Sequence, residues 1–250
     1  FKMWVNAVEA AGATDVGRVR EANEDAFSLV PSERLWVLAD GMGGQNAGEK
    51  ASAIAVEVIP RQLDQLVDFT GCPKDEAVKA IDRSVEQANS EIMALSEVDP
   101  SVRNMGTTVV LVVRAGNNFY IGGVGDSRVY LLRGNKLSQL TKDHSLTQAL
   151  LEAGTINEEE AKTHRYRNVL YRYLGTKDGA SGTEAVEIRP SSGDRFFLCS
   201  DGVTDGIDDA TIQKLLAASD DPQQIAESMI AAAQEGGSRD NITGLVVIID

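Results

Sequence analysis

Aspartates recur where apolar runs end. Asp40 closes LWVLAD before GMGG, Asp126 follows GGVG, Asp201 follows FFLCS, and Asp240 stands in GSRDNIT. A folded sheet gathers strand tips that the chain keeps apart, so these carboxylates predict one converging oxygen-rich site. The pair Glu24-Asp25 in REANEDAF opens an early strand and completes the set. Such donors suit a hard divalent cation, Mg²⁺, Mn²⁺ or Ca²⁺. Successive strand side chains point to opposite faces, so one of Glu24 and Asp25 is a direct ligand and the other supports it. Arg20, just upstream, is the natural anion clamp, because a guanidinium forks onto two phosphate oxygens.

Other chemistries fail on spacing. The run Gly43–Lys50 nearly copies a phosphate-binding P-loop, but Glu49 takes the lysine position. Gly41-Met42-Gly43 lacks the third glycine of a dinucleotide fingerprint, since Asn46 stands in its place. Cys199 is followed six residues on by Asp205 and not by arginine, so a thiolate phosphatase loop is absent. Ser127 is followed by Arg128-Val129, which makes no nucleophile elbow. His144 and His164 are the only histidines, too few for a histidine-rich dinuclear centre.

The elements that must position these residues follow from pattern. At 250 residues and 42% hydrophobic content the chain forms one domain, residues 1–250. Its formal charge of −14 argues against nucleic acid or an anionic membrane as partner. Cys72 and Cys199 are unpatterned, which fits a reducing, cytoplasmic setting, and no apolar run approaches a membrane span. Strands are expected at 25–30, 35–39, 107–113, 118–124, 128–133, 195–199 and 242–249. The stretch from Phe119 to Arg133 reads as a hairpin with Asp126 at its tip.

Helices are expected at 48–67, interrupted at Pro60, and at 74–95, where Val78, Ile81, Val85, Ala88, Ile92 and Leu95 form one apolar stripe. Asp221-Pro222 caps a late helix that Gly236-Gly237 ends. This order does not alternate strand and helix, so an α+β layered fold is expected over a parallel sheet. Residues 142–180, polar and with helical signals at 145–153 and 157–164, read as a surface subdomain. Within them Arg165 and Arg167 interleave with tyrosines and are expected to dock substrate.

Taken together, Arg20–Asp25, Asp40-Gly41-Met42-Gly43-Gly44, Met105-Gly106-Thr107-Thr108, Gly125-Asp126-Ser127-Arg128, Ser200-Asp201-Gly202 and Asp240-Asn241-Ile242-Thr243 resemble the metal-dependent Ser/Thr protein phosphatases of the 2C type. The ordered match runs from residue 13 to 250 and looks like a compact bacterial member. The resemblance implies a four-layer α-β-β-α sandwich, two central antiparallel sheets flanked by helices, with 142–180 as a flap beside the site. It implies two Mn²⁺ or Mg²⁺ ions bridged by Asp40, one also held by Glu24 and the Gly41 carbonyl, the other by Asp201 and Asp240. Asp126 matches the position of a third, weaker ion that Asp201 helps to bind. Asp25 and Asn241 would support the ligands, and Arg20 would bind phosphate beside the catalytic Asp40. Eukaryotic relatives carry histidine where this chain has Met42, so that side-chain acid is missing here. The implied substrates are phosphoserine and phosphothreonine proteins of a cognate Ser/Thr kinase, acted on by a monomer. The alternatives are a different phosphoprotein target, such as an anti-sigma-factor antagonist, and a catalytically inactive phosphoprotein-binding module of the same fold.

Overall fold

The computed structural model describes residues 7–29, 34–44 and 47–250. The chain begins with β1 (Val8–Asp15), β2 (Asp25–Ser28) and β3 (Leu35–Met42), then α1 (Ala47–Leu66) and α2 (Lys74–Val98). Next come β4 (Gly106–Thr107), β5 (Val109–Ala115), β6 (Asn118–Val124), β7 (Arg128–Arg133) and β8 (Lys136–Gln139). Two short helices follow, α3 (Leu146–Glu152) and α4 (Glu158–Thr163), and then β9 (Val186–Ile188) and β10 (Arg195–Cys199). The chain closes with α5 (Asp201–Thr204), α6 (Asp209–Ala217), α7 (Pro222–Glu235) and β11 (Ile242–Ile249). Among the described residues the strands form two antiparallel sheets, ordered β1-β11-β10-β7-β8 and β2-β3-β5-β6-β9, with β4 on β3.

Side-chain alternation along the strands makes the layers. In β3, Leu35, Val37 and Ala39 pack on α1 and α2 through Ala55, Ile59, Ile81 and Val85. Trp36 and Leu38 turn the other way, into a layer shared with Val129, Leu131, Phe196, Leu198 and Leu245 of the second sheet. Phe119 stacks between Trp36 and Phe196, at ring-centre distances of 6.0 and 5.3 Å, and so joins the two sheets. The outer face of the second sheet, with Tyr130, Phe197 and Val246, is covered by Ile212 and Leu216 of α6 and Ile225 and Met229 of α7. The architecture is the expected α-β-β-α sandwich.

Several local expectations change. Residues 119–133 are not a hairpin, because β6 belongs to one sheet and β7 to the other. The chain crosses between sheets at Gly125, whose φ of +106° suits glycine, and Asp126 sits at that crossing. Helix α1 runs unbroken through Pro60. A mid-helix proline costs about 3 kcal/mol, whereas burying Val58, Ile59 and Leu63 around it contributes about 1.5–3 kcal/mol each. The strand expected at 107–113 is split at Thr108, which turns aside to bond Asp40 through its N–H and hydroxyl. The strand expected at 25–30 ends at Ser28, with Leu29 outside it, and Val30 lies outside the described residues.

Three strands carry no expectation from pattern: β1, β8 and β9. All lie at sheet edges, where one flank is unpaired and polar residues are tolerated. Residues 142–180 hold α3, capped by Ser145, and α4, capped reciprocally by Asn157 and Glu160. They return to the main body at Leu174, which bridges Thr107, and at Gly175 and Thr176, which bond the Asn89 side chain of α2 at 2.6 and 2.9 Å.

Candidate active site

The apolar layer between the sheets turns polar at one open edge. Asp40 continues the parity of Trp36 and Leu38, Thr108 that of Val110 and Val112, Ser200 that of Phe196 and Leu198, and Thr243 that of Leu245 and Val247. Asp25 lies directly across from Asp40 in the β2–β3 register. It is buried and accepts hydrogen bonds from the hydroxyls of Ser200 at 2.9 Å and Thr243 at 2.6 Å. The Thr108 hydroxyl accepts the Asp40 N–H at 3.1 Å and lies 2.7 Å from that of Ser127. A core face that ends in carboxylates and hydroxyls builds a rigid floor for a site.

Above that floor lies a cleft of about 290 Å³, lined by Arg20, Glu24, Asp40, Gly41, Asp126, Asp201 and Asp240, with Met42 on its wall. Five separate chain segments deliver these side chains. The Glu24 carbonyl accepts the N–H of Gly41 at 3.1 Å and the hydroxyl of Ser52 at 2.6 Å. A Cβ on Gly41 would stand 2.0 Å from the Gly48 carbonyl oxygen, so only glycine lets α1 begin this close. Asn241 accepts the Glu24 N–H at 2.9 Å and donates to the carbonyls of Val16 and Ala22, both at 2.9 Å. It thereby fixes the loop that carries Arg20. Arg20 reaches back to Asp240 at 2.9 Å. With the arginine side chain 49% exposed, this pair contributes at most about 1 kcal/mol, so the guanidinium is readily exchanged to another anion.

The carboxylates raise one another's affinity for protons. Burial lifts the Asp40 pKa well above its ordinary value, and the charges of Asp25, Asp201 and Asp126 add to it. Burial does the same to Asp201, reinforced by Asp126 and Asp240. Asp126 is pushed up to about 7, by burial and then by Asp143, and Asp25 to about 6, by burial. Glu24 is also raised, first by burial. Asp25 Oδ1 and Asp201 Oδ1 are buried without a hydrogen-bond partner among the described residues.

Unpartnered oxygens and crowded carboxyls are what a hard cation would relieve, and the all-oxygen donor set fits Mg²⁺ or Mn²⁺. Among the described residues these groups do not close into a tight cage. Ions of this kind keep several waters in their shells, so a full protein cage is not required.

Asp205, which its own motif does not single out, belongs to the same field. It follows Asp201 by one helical turn, and its charge raises both Asp126 and Asp201. That spacing of four was the available signal. For Thr108, Ser200 and Thr243 the signal was a polar residue on the core-facing parity at a strand end. Arg165 and Arg167 are exposed beyond the cleft, Arg165 over the Tyr166 ring at 4.4 Å and Arg167 facing Asp205 electrostatically. Arg172 is different, for it is buried and donates to the carbonyls of Asp178 and Gly182. Asn168, Leu170 and Tyr173 of the same stretch wall the cleft.

A carboxylate-floored cleft with an arginine at its rim, at the edge of a double-sheet sandwich, is the layout of a phosphoester hydrolase. Comparison with known proteins gives the family. A model of the family described as Protein phosphatase 2C matches residues 17–239, and the chain belongs to that family. The serine/threonine phosphatase stp of Listeria monocytogenes serotype 4b (strain F2365) is 35% identical over 238 residues, covering 94% of this chain and 93% of that protein. The crystal structure of the Mycobacterium tuberculosis serine/threonine phosphatase PstP/Ppp superposes with a TM-score of 0.87 at 36% identity, over 97% of this chain and 98% of that one. The catalytic domain of PstP in complex with 2 manganese ions superposes at 0.86 with 34% identity, over 98% and 99% of the two chains.

Proposed function

We propose that this chain hydrolyses phosphoserine and phosphothreonine in proteins, using two divalent cations held in the cleft. The convergence of Glu24, Asp40, Asp201 and Asp240 with Arg20 in one cleft carries this reading. Glu24, Asp40 and the Gly41 carbonyl would hold one cation, and Asp40, Asp201 and Asp240 the other. Asp126, with Asp201, would hold a third and weaker one. Such a pair, when bound, makes water a nucleophile at neutral pH and neutralises charge on the phosphoryl oxygens.

The chain's own residues do the rest. Arg20 exchanges its exposed contact with Asp240 for the substrate phosphate and orients it towards the carboxylate floor. Asp25, fixed by Ser200 and Thr243, holds the neighbouring Asp40 strand in place. Asn241 keeps Glu24 and the Arg20 loop in register with β11. Met42 offers no proton, so the leaving alkoxide takes its proton from water in the open cleft.

Residues 1–250 act as a single catalytic domain in this reading, with 142–180 as its flap and with Arg165 and Arg167 contacting the phosphoprotein around the phosphate. The substrates are those of a cognate Ser/Thr kinase, the protein acts as a monomer, and its setting is cytoplasmic. No helix among the described residues is long and apolar enough to cross a membrane. Every expected ligand position carries its oxygen donor, so nothing supports the inactive-module alternative. The test is hydrolysis of p-nitrophenyl phosphate and a phosphothreonine peptide, expected only with Mn²⁺ or Mg²⁺. Turnover that survives exhaustive chelation would overturn the two-cation reading.

A further inference from the structure

His144 lies outside the ligand set, yet it grips the turn that presents Asp126. The residue is 3% exposed. The Gly125 N–H donates to His144 Nδ1 at 3.0 Å, and the His144 N–H donates to the Gly125 carbonyl at 2.8 Å. One residue thus satisfies both backbone groups of the glycine at the sheet crossing. On the far side of Asp126, Arg128 forks onto Asp143 at 2.9 and 2.7 Å, and Ser127 meets Thr108 at 2.7 Å. The His144 carbonyl accepts the Tyr171 N–H at 3.0 Å, and the two rings lie 5.7 Å apart. A nitrogen that accepts carries no proton, so the neutral ring holds its proton on Nε2, which faces Glu184 Oε1 at 3.7 Å, beyond hydrogen-bond reach.

We infer that His144 is a positioning residue for phosphate hydrolysis: its Nδ1 fixes the Gly125–Asp126 turn, and its carbonyl ties that turn to the 168–173 wall of the cleft. The inference rests on the reading of Asp126 as a cation ligand. The turn needs such a clamp because glycine at φ +106° is locally pliable. Asp201 and Asp205 also push on the Asp126 charge. Without Nδ1 the Gly125 N–H would be buried with no acceptor, and the turn would shift to find one. Displacements of about 1 Å near a reacting centre cost up to about 100-fold in rate.

Two amides separate the ring nitrogens. In His144→Asn the side-chain oxygen stands where Nδ1 stands, whereas in His144→Gln the amide stands where Nε2 stands and the Gly125 N–H loses its acceptor. His144→Asn is expected to keep kcat on p-nitrophenyl phosphate within about twofold. His144→Gln is expected to lose about tenfold in kcat with KM unchanged. Its weakest Mn²⁺ association, read by calorimetric titration, should loosen several-fold. His144→Ala, read per folded molecule by tryptophan fluorescence, is a second deletion of the acceptor and should behave like Gln. Equal behaviour of the two amides, whether both intact or both impaired, overturns the inference, as does a Gln or Ala variant that melts earlier but turns over normally. Asp126→Asn run alongside separates the levels. If it is impaired while the amides behave alike, the His144 inference alone fails, and if it keeps full turnover and Mn²⁺ binding, the ligand assignment fails and takes the inference with it.

Discussion

Asp25 accepts two hydroxyl hydrogen bonds and still has its pKa pushed up to about 6, because burial outweighs both donors. A carboxyl raised in the fold holds its proton more tightly there than in the unfolded chain. Its contribution to stability is therefore present at low pH and lost as pH rises through the folded value. With Asp25 at about 6 and Asp126 at about 7, against 3.8 unfolded, the window lies between about pH 4 and 7. Asp40 and Asp201 act in the same direction. Asp68, Asp99 and Asp208, lowered by hydroxyl and N–H donors, act only at more acid pH. Buried His144, whose pKa is lowered, opposes the trend but is one group against the six raised carboxyls Glu24, Asp25, Asp40, Asp126, Asp201 and Asp205.

Chelated protein should consequently melt at falling temperature as pH is raised from about 5 to about 7.5, and calorimetry across that range checks the slope. A flat or rising melting temperature would mean that the carboxyls are not crowded. Asp40→Asn removes one of these charges, so it should abolish turnover by orders of magnitude while leaving the chelated protein at least as heat-stable as wild type. Steady-state kinetics and a melting curve on the same preparation decide it.

At the scale of elements, the stretch after β8 walls one side of the cleft through Asn168, Leu170 and Tyr173. Arg165 and Arg167 are exposed there in a chain of net charge −14, whereas Arg172 is occupied within its own loop. Neutralising Arg165 and Arg167 together should lower kcat/KM on a phosphothreonine peptide several-fold more than on p-nitrophenyl phosphate, because the small ester does not reach that far. Equal losses on the two substrates would place the arginines in support of the catalytic floor.

The strands that end at Asp40, Asp126 and Asp201 were legible in the sequence because each is an apolar run followed by Asp-Gly, Gly-Asp or Ser-Asp-Gly. The edge strands were not legible. VEAAGATD of β1 has little β-branched content and becomes a strand only because β11 lies beside it. The hairpin expected around Asp126 failed for a related reason. A tight turn between two strands is a local signal, but β6 pairs locally with β5 and β7 with β8, and their remaining edges are taken by β9 and β10. Asp205 carries no strand-end pattern, for it caps the C-terminus of α5, and only its spacing of four from Asp201 points to the site.

For the whole molecule, cations held in the acidic cleft as proposed would couple to folding. A ligand that binds only the folded chain at 100 times its Kd adds about 2.7 kcal/mol, which for a chain of this size raises Tm by roughly 5–10 °C. Saturating Mn²⁺ should therefore shift the melting curve upward at pH 7.5, and the shift should vanish in Asp201→Asn. A wild-type Tm indifferent to Mn²⁺ would show that the aspartates do not bind it in common.

The strand order also sets a timetable for biosynthesis. β11, which follows every other strand of the two sheets in chain order, lies in the middle of its sheet, between β1 and β10. Until the ribosome has released Ile242–Ile249, β1 has no neighbour to pair with and Thr243 cannot reach Asp25. Asp240 and Asn241 arrive in the same segment. A nascent chain arrested before it can assemble the sheet that carries α1 and α2, but it cannot complete the floor of the cleft, so dephosphorylation becomes available only once translation of that segment is finished.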